Sequence, residues 1–315
     1  MQKKIKSERF VWLDIMLTLI TLEIMQFFFY GVRAIVLSSI CAAVSLVTEI
    51  ICVRLMKRQF TADDLTCISD ALIISLMLPA VIDFKIAAIA CVFAVTVAKN
   101  VFGGRKNMIF SPAATAYVFM LTSWRGQLIM YTEPHVHTGI LEKAGNLVSS
   151  ASHAFNTTGK LNFTDFEILM GNVTGSLSML LLAVSAVILF FRSDISKGAF
   201  IGTISGTLLL ACLAPMCRDV YDSVKYTLST NMILFAAIYI ISDRRTAPKY
   251  NYYAFFYGFF IAVFSYILVL ITAKENMIVI VSLLFTPVSL AFRNLEKHTE
   301  IPENEEHHKE AVVIE

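Results

Sequence analysis

The sequence of 315 residues has few charged residues and few of the residues that interrupt regular structure. Asp, Glu, Lys and Arg together make up only 16% of the chain. Pro and Gly, which interrupt helices and strands, number seven and 13, and there are two Trp. A soluble globular domain carries about 25% charged residues, so a soluble enzyme domain is excluded. The net charge of +2 lacks the strongly basic surface that nucleic acid requires, so no nucleic-acid partner is expected.

The cysteines and histidines form no recognisable metal motif. No C-x-x-C pair occurs, and the six cysteines are scattered through apolar stretches. Structural zinc and iron–sulfur clusters need closely spaced thiolates, so neither is expected in this chain. His135 and His137 form H-x-H, but no carboxylate or thiol is clearly placed to complete a site. We therefore expect no bound metal at these residues.

Apolar residues are what the chain has in abundance. They make up 57% of it, and 24 Phe and 11 Tyr exclude a disordered chain. At roughly 20 residues per span, the pattern predicts an all-α polytopic membrane protein of about ten segments, three of them short and broken. Short or broken helices are tolerated at membrane depth only inside protein or along a cavity. The ten apolar runs are 11–30, 34–56, 71–82, 84–101, 108–123, 168–191, 198–215, 228–242, 251–273 and 276–292.

The loop charges predict an orientation. With a cytoplasmic N-terminus, most of the 26 Lys and Arg fall in inside loops, as the positive-inside rule requires, and both termini are then cytoplasmic. Five segments precede the longest polar loop and five follow it, so the two halves are inverted if they are related. The predicted organisation is a membrane half (1–123), an extracytoplasmic loop (124–167), a second half (168–295) and a disordered cytoplasmic tail (296–315).

Polar strings interrupt the apolar pattern. F-G-G-R-K-N-M-I-F-S-P-A (102–113) is either a tight turn with inside charges or a glycine-rich backbone that a flat or phosphorylated ligand approaches. L-M-G-N-V-T-G-S-L (169–177) indicates close helix packing through small residues or a ligand site. A-G-N-L-V-S-S-A-S (144–152) is, by composition, a serine-rich outer loop. S-D-R-R-T-A-P (242–248) carries a cluster of neutralised charges at the end of the eighth segment.

Two carboxylates lie deep in predicted spans. Glu23 and Glu49 occupy the first two segments, and an unpaired carboxylate in a bilayer costs several kcal/mol. They either flank a cation or proton path, or are each held by a buried hydroxyl or arginine partner.

These strings together resemble the NqrB/RnfD family, the membrane flavoprotein subunits of the sodium-pumping NADH:quinone reductase and of the Rnf ferredoxin:NAD oxidoreductase. The RnfD branch is the more similar of the two in length. The resemblance covers about residues 10 to 295 and implies a urea-channel-like architecture. The residues that match the family's strings and that we expect to bind cofactor are Gly103, Gly104, Asn107 and Pro112, with Gly171, Gly175 and Ser176.

The resemblance also implies a covalent flavin in the outer loop. A flavin transferase attaches FMN to a hydroxyl within a D-x-x-S/T-G-A-T string, to which Asn146, Ser149, Ser150, Ala151 and Ser152 correspond. Ser152 is the expected acceptor of the FMN phosphate. Asn146 replaces the acidic residue of that string, and Ser150 replaces its glycine. Without iron–sulfur ligands in this chain, electrons must reach the flavin through partner subunits or a second, non-covalent flavin among the helices.

The expected function is therefore that of a membrane flavoprotein subunit of an Rnf-like complex in a prokaryotic cell membrane. It would couple electron transfer of the ferredoxin/NAD type to cation translocation, together with other membrane and peripheral subunits. Two alternatives stay open, namely a solute channel or transporter without a redox role and a scaffold subunit that has lost its flavin.

Overall fold

The computed structural model describes residues 2–104, 108–136, 139, 147–161, 163–192 and 194–296, and within them the chain is almost entirely helical. The predicted site residues Asn107 and Asn146, together with residues 297–315 of the predicted tail, lie outside the described residues. Glu296, where that tail was predicted to begin, is instead buried at the end of a helix.

The helices of the first half pack side by side. Helices α1, α2 and α3 contact one another, and α4 packs against α2 and α5. Helix α4 continues as a π-helix, Ala94–Asn100. The five helices are α1 (Gln2–Tyr30), α2 (Val32–Leu55), α3 (Thr66–Met77), α4 (Phe84–Phe93) and α5 (Pro112–Ser123).

A compact outer loop connects the two halves. It contains a short antiparallel ladder, in which Met130 pairs with Ser149 and Tyr131 with Val148. A small apolar cluster of Ala151, Ile168 and Val173 lies beneath it. Its elements are α6 (Arg125–Leu128), β1 (Met130–Tyr131), β2 (Val148–Ser149), α7 (Ala151–Thr158) and α8 (Asp165–Met170).

The second half contains the remaining helices, two pairs of which are bent. A 56° bend separates α11 from the segment that begins with α12, which continues as a π-helix, Ala237–Ile241. A bend of 42° separates α14 from α15. The helices are α9 (Met179–Arg192), α10 (Lys197–Leu213), α11 (Val220–Ser229), α12 (Ile233–Ala236), α13 (Asn251–Thr272), α14 (Met277–Leu284) and α15 (Thr286–Glu296).

Three helices are long and apolar enough to cross a bilayer: Trp12–Tyr30 within α1, α2, and α13. Counting each bent pair as one span gives up to five among the described residues. The chain is therefore an integral membrane protein, and its all-helical character is as predicted apart from the small ladder. Helices such as α3 and α9 are too short to cross roughly 30 Å of hydrocarbon when straight. Ten spans in two inverted halves stay a prediction.

Helix α9 begins later than the sixth apolar run, to which it corresponds. The run starts at residue 168, whereas α9 starts at Met179. Thr164 and Glu167 form a capping box that starts the separate helix α8, and Gly171 ends it with a φ of 84°. A side chain at Gly171 would overlap the backbone of Ser178. The intervening residues therefore form a turn rather than the start of a membrane helix.

Helices α10 and α13 make the closest helix pair of the second half. Gly198, Gly202 and Gly206 recur every four residues along α10, and a Cβ at any of them would meet α13. At Gly202 it would overlap the carbonyl of Phe255. Small residues at this spacing let membrane helices approach at the backbone, because dispersion contacts must replace the hydrophobic effect there.

Candidate functional site

The serine-rich loop forms the start of helix α7. Ser150 is the N-cap residue, and its hydroxyl oxygen accepts a hydrogen bond from the backbone N–H of His153 at 3.0 Å. Serine is favoured at this position because its side chain satisfies a backbone donor that the helix leaves free. The same hydroxyl donates to the carboxylate of Glu275, in the turn between α13 and α14. The cap therefore ties the loop to the second half of the chain.

Ser152 faces inward from the first turn of α7. Its side chain is buried, and its hydroxyl oxygen accepts a hydrogen bond of 2.9 Å from the backbone N–H of Asn231. Asn231 and Met232 have positive φ angles of 55° and 56° at the break between α11 and α12. The predicted acceptor hydroxyl thus lies beside the broken eighth segment, a neighbour that sequence analysis did not identify.

A cavity of about 40 Å³ beside Ser152 brings three predicted residues together. Gly175 and Ser176 line it with Ser152, and Tyr30 closes one side. The backbone N–H of Gly175 donates to the Tyr30 hydroxyl at 3.3 Å, and the Ser176 hydroxyl donates to the carbonyl of Ser229 at 3.0 Å. Two strings that are separate in sequence therefore meet at one place.

Ser149 and Ala151 point to other sides of the loop. Ser149 is exposed and lines a second, larger cavity of about 390 Å³, together with Arg125, His153 and Lys274. Ala151 is buried in the small apolar cluster of the loop. Neither lines the cavity beside Ser152.

The string around Gly103 lies apart from this cavity. Gly103 and Gly104 have positive φ angles and end the π-helix, where the N–H of Gly104 donates to the carbonyl of Lys99. Pro112 is the first residue of α5, where a missing N–H costs little. None of these residues lines the cavity beside Ser152. The string around Gly103 and the string around Gly175 therefore do not meet at that cavity. Gly171 also lies away from it and ends α8.

Glu23 and Glu49 lie at different depths. Glu23 is seven residues from the end of α1, and Glu49 is 17 residues from the start of α2, so they are offset by roughly 15 Å along the helix axes. Ser75 donates to Glu23 at 2.5 Å. Glu49 forms ion pairs with Lys99 and Arg58, each at 3.2 Å. Each carboxylate therefore has a hydroxyl or arginine partner, which was one of the two possibilities that the sequence analysis left open.

Lys99 was not identified from the sequence, although it is as buried as Glu49. Both side chains have no exposed surface, and the amide of Asn100 also donates to Glu49 at 2.9 Å. The π-helix that ends at Asn100 places these two polar side chains beside α2. In the sequence, K-N at the end of an apolar run looks like the ordinary cytoplasmic end of a membrane span. The contact of Lys99 with Glu49 is therefore visible only in the fold.

Arg245 joins the two halves of the chain. Its guanidinium donates to both oxygens of Asp70 on α3, at 2.6 and 3.1 Å, and also to Asp243. Burial opposes the charge of Arg245, but Asp243 and Asp70 more than offset it, so the pKa of Arg245 is raised. The sequence identified the charged string around Arg245 but did not predict that its partner would be Asp70, 175 positions away.

Glu275 is a further buried carboxylate that sequence analysis missed. Burial raises its pKa from 4.5 to about 7, and the hydrogen bond from Ser150 only partly opposes this shift. In the sequence it stands in A-K-E-N, which is typical of a solvated turn. Its burial results from contact with the outer loop.

Comparison with known proteins identifies related sequences. A family model described as the NQR2, RnfD, RnfE family matches residues 1–288. Over 111 residues the chain is 29% identical to the D subunit of the ion-translocating oxidoreductase complex of Shewanella piezotolerans, covering 35% of this chain and 32% of that protein. Over 99 residues it is 30% identical to the D subunit of the Na(+)-translocating ferredoxin:NAD(+) oxidoreductase complex of Acetobacterium woodii, covering 31% of each chain. The chain spans about a third of the length of these curated relatives.

Proposed function

Because this chain belongs to the NQR2, RnfD, RnfE family, we propose that it is a membrane flavoprotein subunit of an Rnf-like complex in a prokaryotic cell membrane. The complex couples electron transfer of the ferredoxin/NAD type to cation translocation, as the names of those relatives indicate for the relatives themselves. Other membrane and peripheral subunits supply the iron–sulfur carriers, for which this sequence has no ligand pattern. The observation that carries the proposal is the meeting of Ser152 with Gly175 and Ser176 at one cavity.

Ser152 has the chemistry needed to hold FMN. A phosphoester needs only a hydroxyl, and a flavin transferase would form it from FAD with release of AMP. The cavity of about 40 Å³ has room for the ester group but not for a flavin ring. We therefore propose that the ring occupies space opened at the break between α11 and α12, next to Asn231. The bound flavin exchanges one or two electrons.

The residues around Ser152 would orient such a group. The N–H of Asn231 donates toward the Ser152 oxygen and fixes its direction. Gly175 brings backbone close to the rings of Tyr30 and Tyr131, where a Cβ would approach Tyr131 within 3.2 Å. The pocket thereby combines a fixed hydroxyl with aromatic walls, which suits a flat, partly apolar ligand.

The proposed cation path uses Glu23 and Glu49. Glu23 is buried, and no ion pair to it occurs among the described residues, so its charge is available to a passing cation or proton. Glu49 is neutralised by Lys99 and Arg58, so its charge would become available only when both cations move away. A second, non-covalent flavin is proposed near Gly103, Gly104 and Pro112, where positive-φ backbone adjoins the start of α5.

The test is covalent labelling of the chain. We expect protein made with an active flavin transferase to show an ultraviolet-fluorescent band on a denaturing gel and an FMN-sized mass increment. Ser152→Ala should abolish both signals, whereas Thr157→Ala, which removes an exposed hydroxyl of α7 outside the recognition string, should retain them. Absence of the increment in the parent protein would favour a scaffold that has lost its flavin or a channel. An increment that survives Ser152→Ala would disprove this acceptor.

A further inference from the structure

Glu275 is a buried carboxylate without a basic partner. It is 6% exposed, and among the described residues no Lys, Arg or His forms an ion pair with it. The Ser150 hydroxyl donates to one of its oxygens. A buried charge with a single neutral partner is strongly disfavoured unless a further group neutralises it.

Three other buried oxygens around this turn have no hydrogen-bond partner among the residues that the structure describes. They are the hydroxyls of Tyr117 and Tyr131 and the side-chain oxygen of Asn276. Asn276 follows Glu275 directly. Tyr131 and Ser150 are neighbours, because a Cβ at Gly175 would lie 3.2 Å from the Tyr131 ring and 3.0 Å from Ser150. Helix α5, which carries Tyr117, packs against α14. More than 90% of buried polar groups in native proteins are satisfied, so three unsatisfied oxygens beside one carboxylate indicate a shared partner.

The chemistry of these oxygens selects the class of that partner. Carboxylate, phenol, amide and hydroxyl oxygens are hard ligands, which suit alkali and alkaline-earth cations rather than soft metals. A proton on Glu275 would neutralise the charge and leave the tyrosine and asparagine oxygens unsatisfied. A water molecule would satisfy those oxygens and leave the charge. A cation does both, and one carboxylate balances a single positive charge.

We propose that Glu275, Ser150, Tyr117, Tyr131 and Asn276 form a binding site for a monovalent hard cation of the sodium type. The site joins α5 of the first half, the outer loop and the α13–α14 turn. Because Ser150 is the N-cap of α7, occupancy of the site would also stabilise the helix that carries Ser152.

The outer cavity of about 390 Å³ gives the site a route to solvent, since Glu275 and Asn276 line it. Arg125 and Lys274 line the same cavity and repel cations, so entry should quicken with ionic strength as these charges are screened. Burial raises the pKa of Glu275 to about 7. Protons should therefore compete with the cation below that pH.

Equilibrium binding of radiolabelled Na⁺ to the purified full chain tests the site. At about pH 8.5, where the carboxylate is ionised, we expect saturable binding of one ion per chain, with choline chloride keeping the ionic strength constant. Glu275→Gln should weaken binding by more than about a hundredfold, and Glu167→Gln, which changes a half-buried carboxylate at the start of α8, should leave it unchanged. Lowering the pH to about 6 should weaken binding roughly tenfold.

A second set of variants avoids the risk that Glu275→Gln fails to fold. Tyr117→Phe and Tyr131→Phe keep the rings and remove one proposed ligand each, so each should weaken Na⁺ binding about tenfold. Tyr266→Phe removes a buried hydroxyl that donates to Ala214, away from the site, and should have no effect.

Absence of saturable Na⁺ binding at high pH would overturn the proposal. Binding that is unchanged both in Glu275→Gln and in the double variant Tyr117→Phe with Tyr131→Phe would also overturn it. These measurements use neither flavin nor electron donor, so they succeed or fail separately from the proposed redox function.

Discussion

At the scale of single residues, the partners of buried charges decide what each charge contributes. Glu49 and Lys99 neutralise each other without any exposed surface, whereas Lys225 and Asp165 pair on the outside. The first kind of pair is costly to break, because the remaining charge stays buried, and the second is screened by water.

Glu49→Gln should therefore destabilise the chain by about 3–5 kcal/mol, since it leaves the Lys99 ammonium buried beside a neutral amide. Asp165→Asn breaks a shorter ion pair, of 2.7 Å against 3.2 Å, in which the Asp165 side chain is exposed, and should cost less than about 1 kcal/mol. Thermal unfolding in detergent measures both. Equal losses in the two variants would contradict the assignment of Glu49 and Lys99 as a dry pair.

Glu275 predicts a dependence of stability on pH. Its folded-state pKa of about 7 exceeds the unfolded value of 4.5, so the folded protein binds more protons between these limits. In the absence of Na⁺, the contribution of Glu275 to the free energy of unfolding should be greatest below about pH 4.5. This contribution should be lost as the pH rises through about 7. Glu275→Gln carries no titrating carboxyl, so the melting temperature of the variant should lack this part of the pH dependence, and the difference between parent and variant should show it.

The sequence predicted some of these residues and could not predict others. Ser152 was identified from its string, and the partners of Glu23 and Glu49 were among the possibilities left open. Glu275 was missed because A-K-E-N has the composition of a solvated turn, and its burial arises from Ser150, 125 positions away. Separations of that size leave no periodic pattern in the chain.

At the scale of elements, interruptions of helices matter more than the helices themselves. The apolar runs predicted where helices occur, but α9 begins after a turn that the run conceals. The run 228–242 was predicted to be short and broken, but the position of its break at Asn231 and Met232 was not, because neither residue is a glycine or proline. Positive φ at such residues is imposed by tertiary contacts, among them the hydrogen bond from Asn231 to Ser152.

The α10–α13 contact gives a prediction at this scale. Gly202→Ala should destabilise the protein by about 1–3 kcal/mol, because the added methyl group would overlap the carbonyl of Phe255 and separate the helices. Gly126→Ala adds the same group where nothing lies within 4 Å and should be close to neutral. Comparison of the two melting temperatures is the measurement, and a neutral Gly202→Ala would contradict close backbone packing.

At the scale of the whole molecule, the proposed ten-segment topology makes a prediction about sidedness. In a background without native cysteines, Lys160→Cys in the outer loop should react with a membrane-impermeant maleimide in intact cells. Lys57→Cys, between α2 and α3, should react only after the membrane is opened. Both lysines are exposed, so access to the reagent depends on the side of the membrane. Reaction of both cysteines in intact cells would refute both termini being cytoplasmic.

The contact between Arg245 and Asp70 has a mechanical consequence. It fastens α3 of the first half to the end of the eighth segment through two charge-assisted hydrogen bonds that are largely shielded from water. The two halves therefore cannot rock against each other as rigid bodies at that contact without exposing unpaired charge. In any conformational cycle of this protein, the two halves should therefore stay in contact at Arg245 and Asp70. Their relative movement should be larger at the break around Asn231, beside the outer loop.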